Sequence, residues 1–171
     1  MTSTQMNAGV FSSAADDWTT PDDLFARLDS EFHFTLDPCA YPETAKCDRY
    51  FTKVEDGLSQ NWTGRVFMNP PYGRGIDRWV KKAFDAAQTT ADVVVALVPA
   101  RTCSKWWHDY CMSADEVRLI KGRLSFGGQN PAKGHNAPFP SAVVVFRGQP
   151  RVPQLRSIER DASAPPEGTP A

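Results

Sequence analysis

Asn69-Pro70-Pro71-Tyr72 is the segment of this sequence best equipped for chemistry. The Asn69 side-chain oxygen and the Pro70 carbonyl are two hydrogen-bond acceptors. The consecutive prolines stiffen the backbone that carries them, so both would be held with little reorganisation. The Tyr72 ring beside them adds an aromatic surface. A given tetrapeptide occurs in a chain of this length with a chance on the order of 0.1%, and its place just after the apolar run Arg65-Val66-Phe67-Met68 narrows that further. A plain Pro-rich turn that ends a strand is the alternative.

Two other apolar runs stop in a similar way. Phe34-Thr35-Leu36 gives way to Asp37-Pro38-Cys39-Ala40, and Val93-Val94-Val95-Ala96-Leu97-Val98 gives way to Pro99-Ala100-Arg101. The cysteines fall in two pairs, Cys39 with Cys47 and Cys103 with Cys111. Neither spacing is a zinc pattern and there is no C-x-x-C, so no metal is expected and the thiols read as small buried hydrophobes.

The elements that must position these residues follow from periodicity. Thr20-Pro21-Asp22-Asp23 offers an N-cap, a proline at the first helical position and first-turn acids, and Leu24, Phe25, Leu28 and Phe32 follow at helical spacing. Residues 65–68 predict a strand stopped by two prolines, and 75–88 an amphipathic helix with Ile76, Trp79, Val80, Ala83, Phe84 and Ala87 on its apolar side. The run 93–98 predicts a strand buried on both faces. A helix over 104–111, in which Trp106 and Trp107 read as core, and strands at 117–120 and 142–146 complete the set. Strands alternating with amphipathic helices predict an α/β three-layer sandwich with a mostly parallel central sheet, and in such sheets ligands bind beyond the carboxyl ends of the strands. Leu36, Met68 and Val98 then deliver three segments to one rim.

The chain has 171 residues, 41% of them hydrophobic and 23% charged, which fits a single domain. That domain is expected over 16–147, with residues 1–15 and the Pro-rich stretch 148–171 as disordered ends. No apolar run approaches the roughly 20 residues of a membrane span, and the first residues lack a secretion signal, so a cytoplasmic protein without a membrane partner is expected. The net charge of -1 conceals a segregation: seven basic residues and no acidic one lie from Arg118 to Arg156, which leaves the remainder acidic. Such a field can steer a polyanion to one face, though a solvated edge explains it equally well.

The Asn69–Tyr72 motif resembles that of the amino-group methyltransferases that use S-adenosylmethionine. The ordered set Trp18-Thr19-Thr20-Pro21, Asp37-Pro38-Cys39-Ala40, Ala45-Lys46-Cys47, Tyr50-Phe51-Thr52, Glu55-Asp56-Gly57-Leu58, Trp79-Val80-Lys81-Lys82-Ala83 and Phe139-Pro140-Ser141-Ala142 is similar to the phage-type DNA N-6-adenine-methyltransferase (Dam-like) family. One departure is that no Gly-x-Gly loop follows the first strand, where Asp37-Pro38-Cys39-Ala40 stands instead. The resemblance implies a Rossmann-like class I methyltransferase fold, S-adenosylmethionine as cofactor, double-stranded DNA as partner, a role in DNA methylation or restriction-modification, and a phage or prophage protein working in the host cytoplasm.

It also implies roles. Asn69, Pro70, Pro71 and Tyr72 would be catalytic, because the lone pair of adenine's exocyclic amine is delocalised into the ring and two acceptors on its hydrogens favour a more nucleophilic nitrogen. Trp18, Thr19, Thr20, Pro21, Asp37, Pro38, Cys39 and Asp56 would line the cofactor pocket, with Asp37 on the cofactor's ammonium and Asp56 on its adenosine part. Apart from the resemblance, the basic stretch suggests that Arg123, Phe126, Lys133 and His135, in and beside the Gly-rich loop 127–134, with Arg101 at the rim, would contact nucleic acid around a flipped base, an exposed hairpin connection being the alternative for the loop. The same motif serves enzymes that methylate cytosine amino groups, RNA bases or protein glutamine, and a catalytically inactive nucleic-acid-binding relative remains a third reading. No separate recognition domain is visible, so a short target sequence read by loops or by a second subunit is expected.

Overall fold

The computed structural model describes residues 18–126, 136–148 and 152–160. Helix α1 (Asp22–Phe32) is followed by β1 (Gly64–Met68), α2 (Ile76–Thr89), β2 (Ala91–Pro99), α3 (Lys105–Asp109), a 3-10 turn (Cys111–Ser113), β3 (Glu116–Lys121), β4 (Ser141–Phe146) and β5 (Gln154–Glu159). The strands form one sheet in the order β1-β2-β4-β3-β5. β1 pairs parallel with β2 and β3 parallel with β5, while β4 is antiparallel to both its neighbours. Four strands therefore run one way and one is reversed, a mostly parallel sheet of the class expected for this fold.

Both faces of the sheet are covered, which is why its central strands are apolar without alternation. Every residue of β2 from Val93 to Pro99 and all of β4 are buried. Val94, Ala96, Val98, Val144 and Phe146 pack with Val80, Ala83 and Ala87 of α2 and with Trp106 and Trp107. The opposite rows, Phe67, Val93, Val95, Leu97, Val143 and Val145, pack with Leu24, Leu28 and Phe32 of α1. The result is three layers.

Three local expectations need correction. Phe34-Thr35-Leu36 forms only an isolated bridge, Leu36 to Val66, with a second from Asp37 to Tyr50. The N–H groups of Thr35 and Leu36 converge on one acceptor, the Arg65 carbonyl, and Pro38 has no N–H with which to extend a ladder. The stretch 148–171, read as a disordered tail, contains β5 in parallel register with β3 from Glu116–Gln154 to Lys121–Glu159. Pro150 and Pro153 precede the strand and leave its ladder intact, so composition averaged over the whole stretch concealed it. Thr20 does not cap α1: the N-cap is Pro21, without a side-chain hydrogen bond. Residues 1–15 lie outside the described residues.

Gly57 fixes the approach of the 52–58 turn to the rim. A Cβ at this position would lie 1.9 Å from the Pro38 carbonyl oxygen, while the Gly57 carbonyl itself accepts the buried Trp62 indole N–H at 2.8 Å. Because the obstruction is backbone, Gly57→Ala is expected to destabilise the protein by about 2 kcal/mol or more. Denaturant unfolding compared with the parent checks this.

Candidate active site

β1 ends at Met68, and the two prolines that follow release the chain from the sheet at the carboxyl rim. Asn69 is held there from the other side by the segment that leads into α1. Its Nδ2 donates to the Trp18 carbonyl and, at 2.9 Å, to the Thr20 hydroxyl. A carbonyl can only accept, so the atom facing Trp18 must be the nitrogen, and the orientation of the amide is settled. Oδ1 then points elsewhere, buried and with no hydrogen-bond partner. An unsatisfied buried acceptor costs on the order of 1–3 kcal/mol, and it sits here beside a cavity.

That cavity has a volume of about 460 Å³. Trp18, Thr19, Thr20, Asp37, Cys39, Asn69, Pro70 and Pro71 line it, so three sequence-distant segments meet there, while Pro99, Ala100 and Arg101 after Val98 are not among its lining. Pro21, Pro38, Asp56 and Tyr72 are not among its lining. Pro21 caps α1, Pro38 packs under Gly57, and Asp56 is exposed in its turn with φ 51°. Tyr72 is buried behind the motif, its hydroxyl donating to the Leu97 carbonyl at 3.3 Å.

Asp37 is the buried charge of the cavity. Its Oδ1 accepts the Cys39 N–H at 3.3 Å and its Oδ2 the Lys46 N–H at 3.1 Å. Desolvation outweighs these bonds and pushes its carboxyl up to about 6. Desolvation, helped by the Asp37 charge, pushes the Cys39 thiol well above its ordinary value, so it stays neutral as part of the wall. Lys46 also reaches α1, where its ammonium meets Asp22 at 2.5 Å.

Ala40, Tyr41, Glu43, Thr44, Lys46 and Phe67 complete the lining and were missed in the sequence. Phe67 is legible only as an inward strand residue. Tyr41 to Lys46 form an irregular loop with no periodicity, and the available hints were their nearness to Asp37 and, for Lys46, its place in the Ala45-Lys46-Cys47 piece of the resemblance.

An aromatic group closes the rim next to Asn69. Trp18 lies edge-on to Phe126 and Phe139 at 5.4 and 5.3 Å, and Tyr72 to the same two rings at 5.9 and 5.4 Å. Phe126 thus packs within this aromatic group, though it is not among the cavity's lining. Arg101, past the end of β2, and Arg123, past β3, are exposed. Lys133, His135 and the rest of 127–135 lie outside the described residues.

The basic stretch is not an open field. Arg118 is buried in a bidentate pair with Glu31 and a further pair with Glu116, Arg156 approaches Glu116, and Lys121 pairs with Glu159. Arg118 thus ties β3 to α1, and Arg156 and Lys121 tie β5 and β3 together. All four cysteines are free, and among the described residues no group of His, Cys, Asp and Glu could hold a metal ion. No described helix is long and apolar enough to cross a membrane.

Comparison with known proteins gives the following likenesses. The sequence profile of the family described as DNA N-6-adenine-methyltransferase (Dam) matches residues 8–163. A DNA N-6-adenine-methyltransferase of Haemophilus phage HP1 is 27% identical over 146 residues, 82% of this chain and 83% of that protein. The "Putative methyltransferase YfdM" of Escherichia coli (strain K12) is 35% identical over 65 residues, 33% of this chain and 71% of that protein. A solved Pyrococcus horikoshii structure, described as a "putative RNA methyltransferase", aligns with TM-score 0.40 and 17% identity, covering 60% of this chain and 52% of that one.

The elevated Asp37 carboxyl has a signature in the protein without ligand. Between its ordinary value of 3.8 and about 6 the folded chain holds a proton that the unfolded chain has released. Stability from this group therefore falls as pH rises through that window and is level above it. Asp37→Asn is expected to remove a slope amounting to roughly 2–3 kcal/mol across the window, checked by denaturation midpoints of both proteins from pH 4 to pH 7.

Proposed function

The chain belongs to the DNA N-6-adenine-methyltransferase (Dam) family, and on that premise we propose that it transfers a methyl group from S-adenosylmethionine to the N6 amine of an adenine turned out of double-stranded DNA. The observation that carries this reading is the oriented, buried and unpartnered Oδ1 of Asn69 beside the cavity. A neutral acceptor without a donor suits an N–H-bearing ligand, and the Pro70 carbonyl next to it supplies the second acceptor that an exocyclic amine calls for.

The cavity fits the cofactor in size and in charge. A volume of about 460 Å³ falls within the range of small-molecule sites. Asp37 offers a desolvated carboxylate at neutral pH, whose charge a ligand ammonium would compensate. Trp18, Thr19, Thr20 and Cys39 would hold the rest of the molecule, while Pro38 and the exposed Asp56 support that reading only from beside the cavity. When bound, the cofactor supplies a methyl group already activated on a sulfonium.

The protein's own task is then positioning. Asn69 Oδ1 and the Pro70 carbonyl each accept one N–H of the adenine amine, which draws the nitrogen lone pair out of conjugation and toward the methyl carbon. The prolines keep both acceptors still, so little reorganisation accompanies transfer. No general base is needed beforehand, because the amine sheds its proton once it carries the methyl group. A base entering beside Asn69 exchanges edge contacts of Tyr72 and Phe126 for a stacked one. Arg101 and Arg123, with Lys133 and His135, are the proposed contacts to the DNA around it. The short connections leave recognition to loops, in keeping with a short target sequence.

Asn69→Ala is expected to lower methyl transfer by on the order of 100-fold or more while leaving cofactor binding largely intact by calorimetry. Isotopically labelled cofactor offered with DNA, RNA and protein acceptors, followed by nucleoside analysis, should yield N6-methyladenine from duplex DNA. Label appearing only in N4-methylcytosine, RNA or glutamine would refute the substrate, and a fully active Asn69→Ala would refute the site.

A further inference from the structure

The described residues contain two buried, unpartnered polar atoms at the carboxyl end of the sheet. One is Asn69 Oδ1 and the other is the Ser141 hydroxyl, on a residue 2% exposed. Nothing in the reaction proposed above uses Ser141. Its hydroxyl is nonetheless buried with no partner from the protein, a costly arrangement that a group from outside the chain would relieve.

Ser141 opens β4, directly opposite Pro99 at the end of β2. The register places Phe67, Val95 and Val145 in one row across the sheet. Leu97 and Val143 form the next row on that face, and Pro99 and Ser141 the outermost. This is the α1 face, where the segment leading into α1 grips Asn69. Asn69, one step past Met68, comes level with Leu97 when the register is extended. Ser141 is then two strands and one row away, about 12 Å between Cα atoms from ordinary strand spacings. An Asn side chain, one edge of a base and a Ser side chain together span that gap. The neighbours of Ser141 tie it to the motif: the Pro140 carbonyl accepts the Ala100 N–H at 2.8 Å, and Phe139 packs on both Tyr72 and Trp18.

We propose that Ser141 is a specificity-determining residue whose hydroxyl donates to the ring nitrogen flanking the amine of the target base; this rests on the methyl-transfer reading above. Asn69 and Ser141 together present an acceptor and a donor. Adenine offers the complement, an amine beside an unprotonated ring nitrogen, on its Watson–Crick edge through N1 and on its other edge through N7. Guanine carries O6 where adenine carries the amine, so on either edge Asn69 Oδ1 would face another acceptor, and on the Watson–Crick edge N1–H would also deny the Ser141 hydroxyl its acceptor. A site that hydrogen-bonds its substrate rejects one lacking the complement because its own buried groups stay unpaired.

The test compares the parent and Ser141→Ala on duplexes whose target is adenine, 1-deazaadenine or 7-deazaadenine, together with their denaturation midpoints. Expected is a loss in kcat/KM on adenine on the order of tenfold, no loss on the one analogue that lacks the contacted nitrogen, and a midpoint equal to or above the parent's. The midpoint separates this role from a structural one, since a hydroxyl that supported the fold would lower it when removed. Full activity of Ser141→Ala on adenine, an equal penalty on all three bases, or a midpoint that drops along with activity would each overturn the proposal. A parent protein that methylates no adenine would overturn the underlying reading in its own arm, and this proposal with it.

Discussion

One side-chain amide organises this protein. Both ends of its hydrogen-bonding capacity are decided by its neighbours: Nδ2 is taken up by the Trp18 carbonyl and the Thr20 hydroxyl, and Oδ1 is left buried without a donor. For this to happen the strand must end where it does, which Pro70 and Pro71 ensure by having no N–H for a ladder. The chain before α1 must also run back over the rim, which it does because α1 is anchored to the sheet by Leu24, Leu28 and Phe32. The helix gives up a capping hydroxyl in the process, since Thr20 is engaged with Asn69 instead.

The second constraint is Asp37, whose burial raises its carboxyl to about 6. Two backbone N–H groups orient it without fully replacing water, so the folded protein carries a charge it holds at a cost. The Gly57 approach to Pro38 and the reach of Lys46 to Asp22 close the loops around it. Both constraints act in one direction. An orphaned acceptor and a desolvated carboxylate each lower the stability of the fold, and each would be compensated by a ligand group of opposite character, which is how a preorganised site differs from a merely concave one.

Charge shows how far a sequence count can differ from a surface. The basic run from Arg118 to Arg156 contains no acid, yet its members Arg118, Lys121 and Arg156 find Glu31, Glu116 and Glu159 in space. Glu31 comes from a helix 87 residues away from Arg118. What reads as a polyanion-binding segment is to that extent the fastening of β3 to α1 and of β5 to β3, while Arg123 of the same run is exposed, as is Arg101 beyond β2.

The sequence by itself determined the layers and the rim. Apolar runs at β1, β2 and β4 and the helical spacing in α1 and α2 are local signals, and prolines at 70, 71 and 99 mark strand ends wherever the strands lie. It also determined the motif, because the rigidity of Asn69-Pro70-Pro71 is a covalent property. Tertiary structure decided the rest. The reversed direction of β4 and the recovery of β5 from a Pro-rich stretch depend on pairing between strands, which no window of residues contains. The loop from Tyr41 to Lys46 became a cavity wall through contacts rather than pattern. Thr20, a helix cap by every local rule, became the partner of Asn69, and Ser141 became an unpaired hydroxyl. A hydrogen bond is satisfied or orphaned only by what the fold brings within about 3 Å of it.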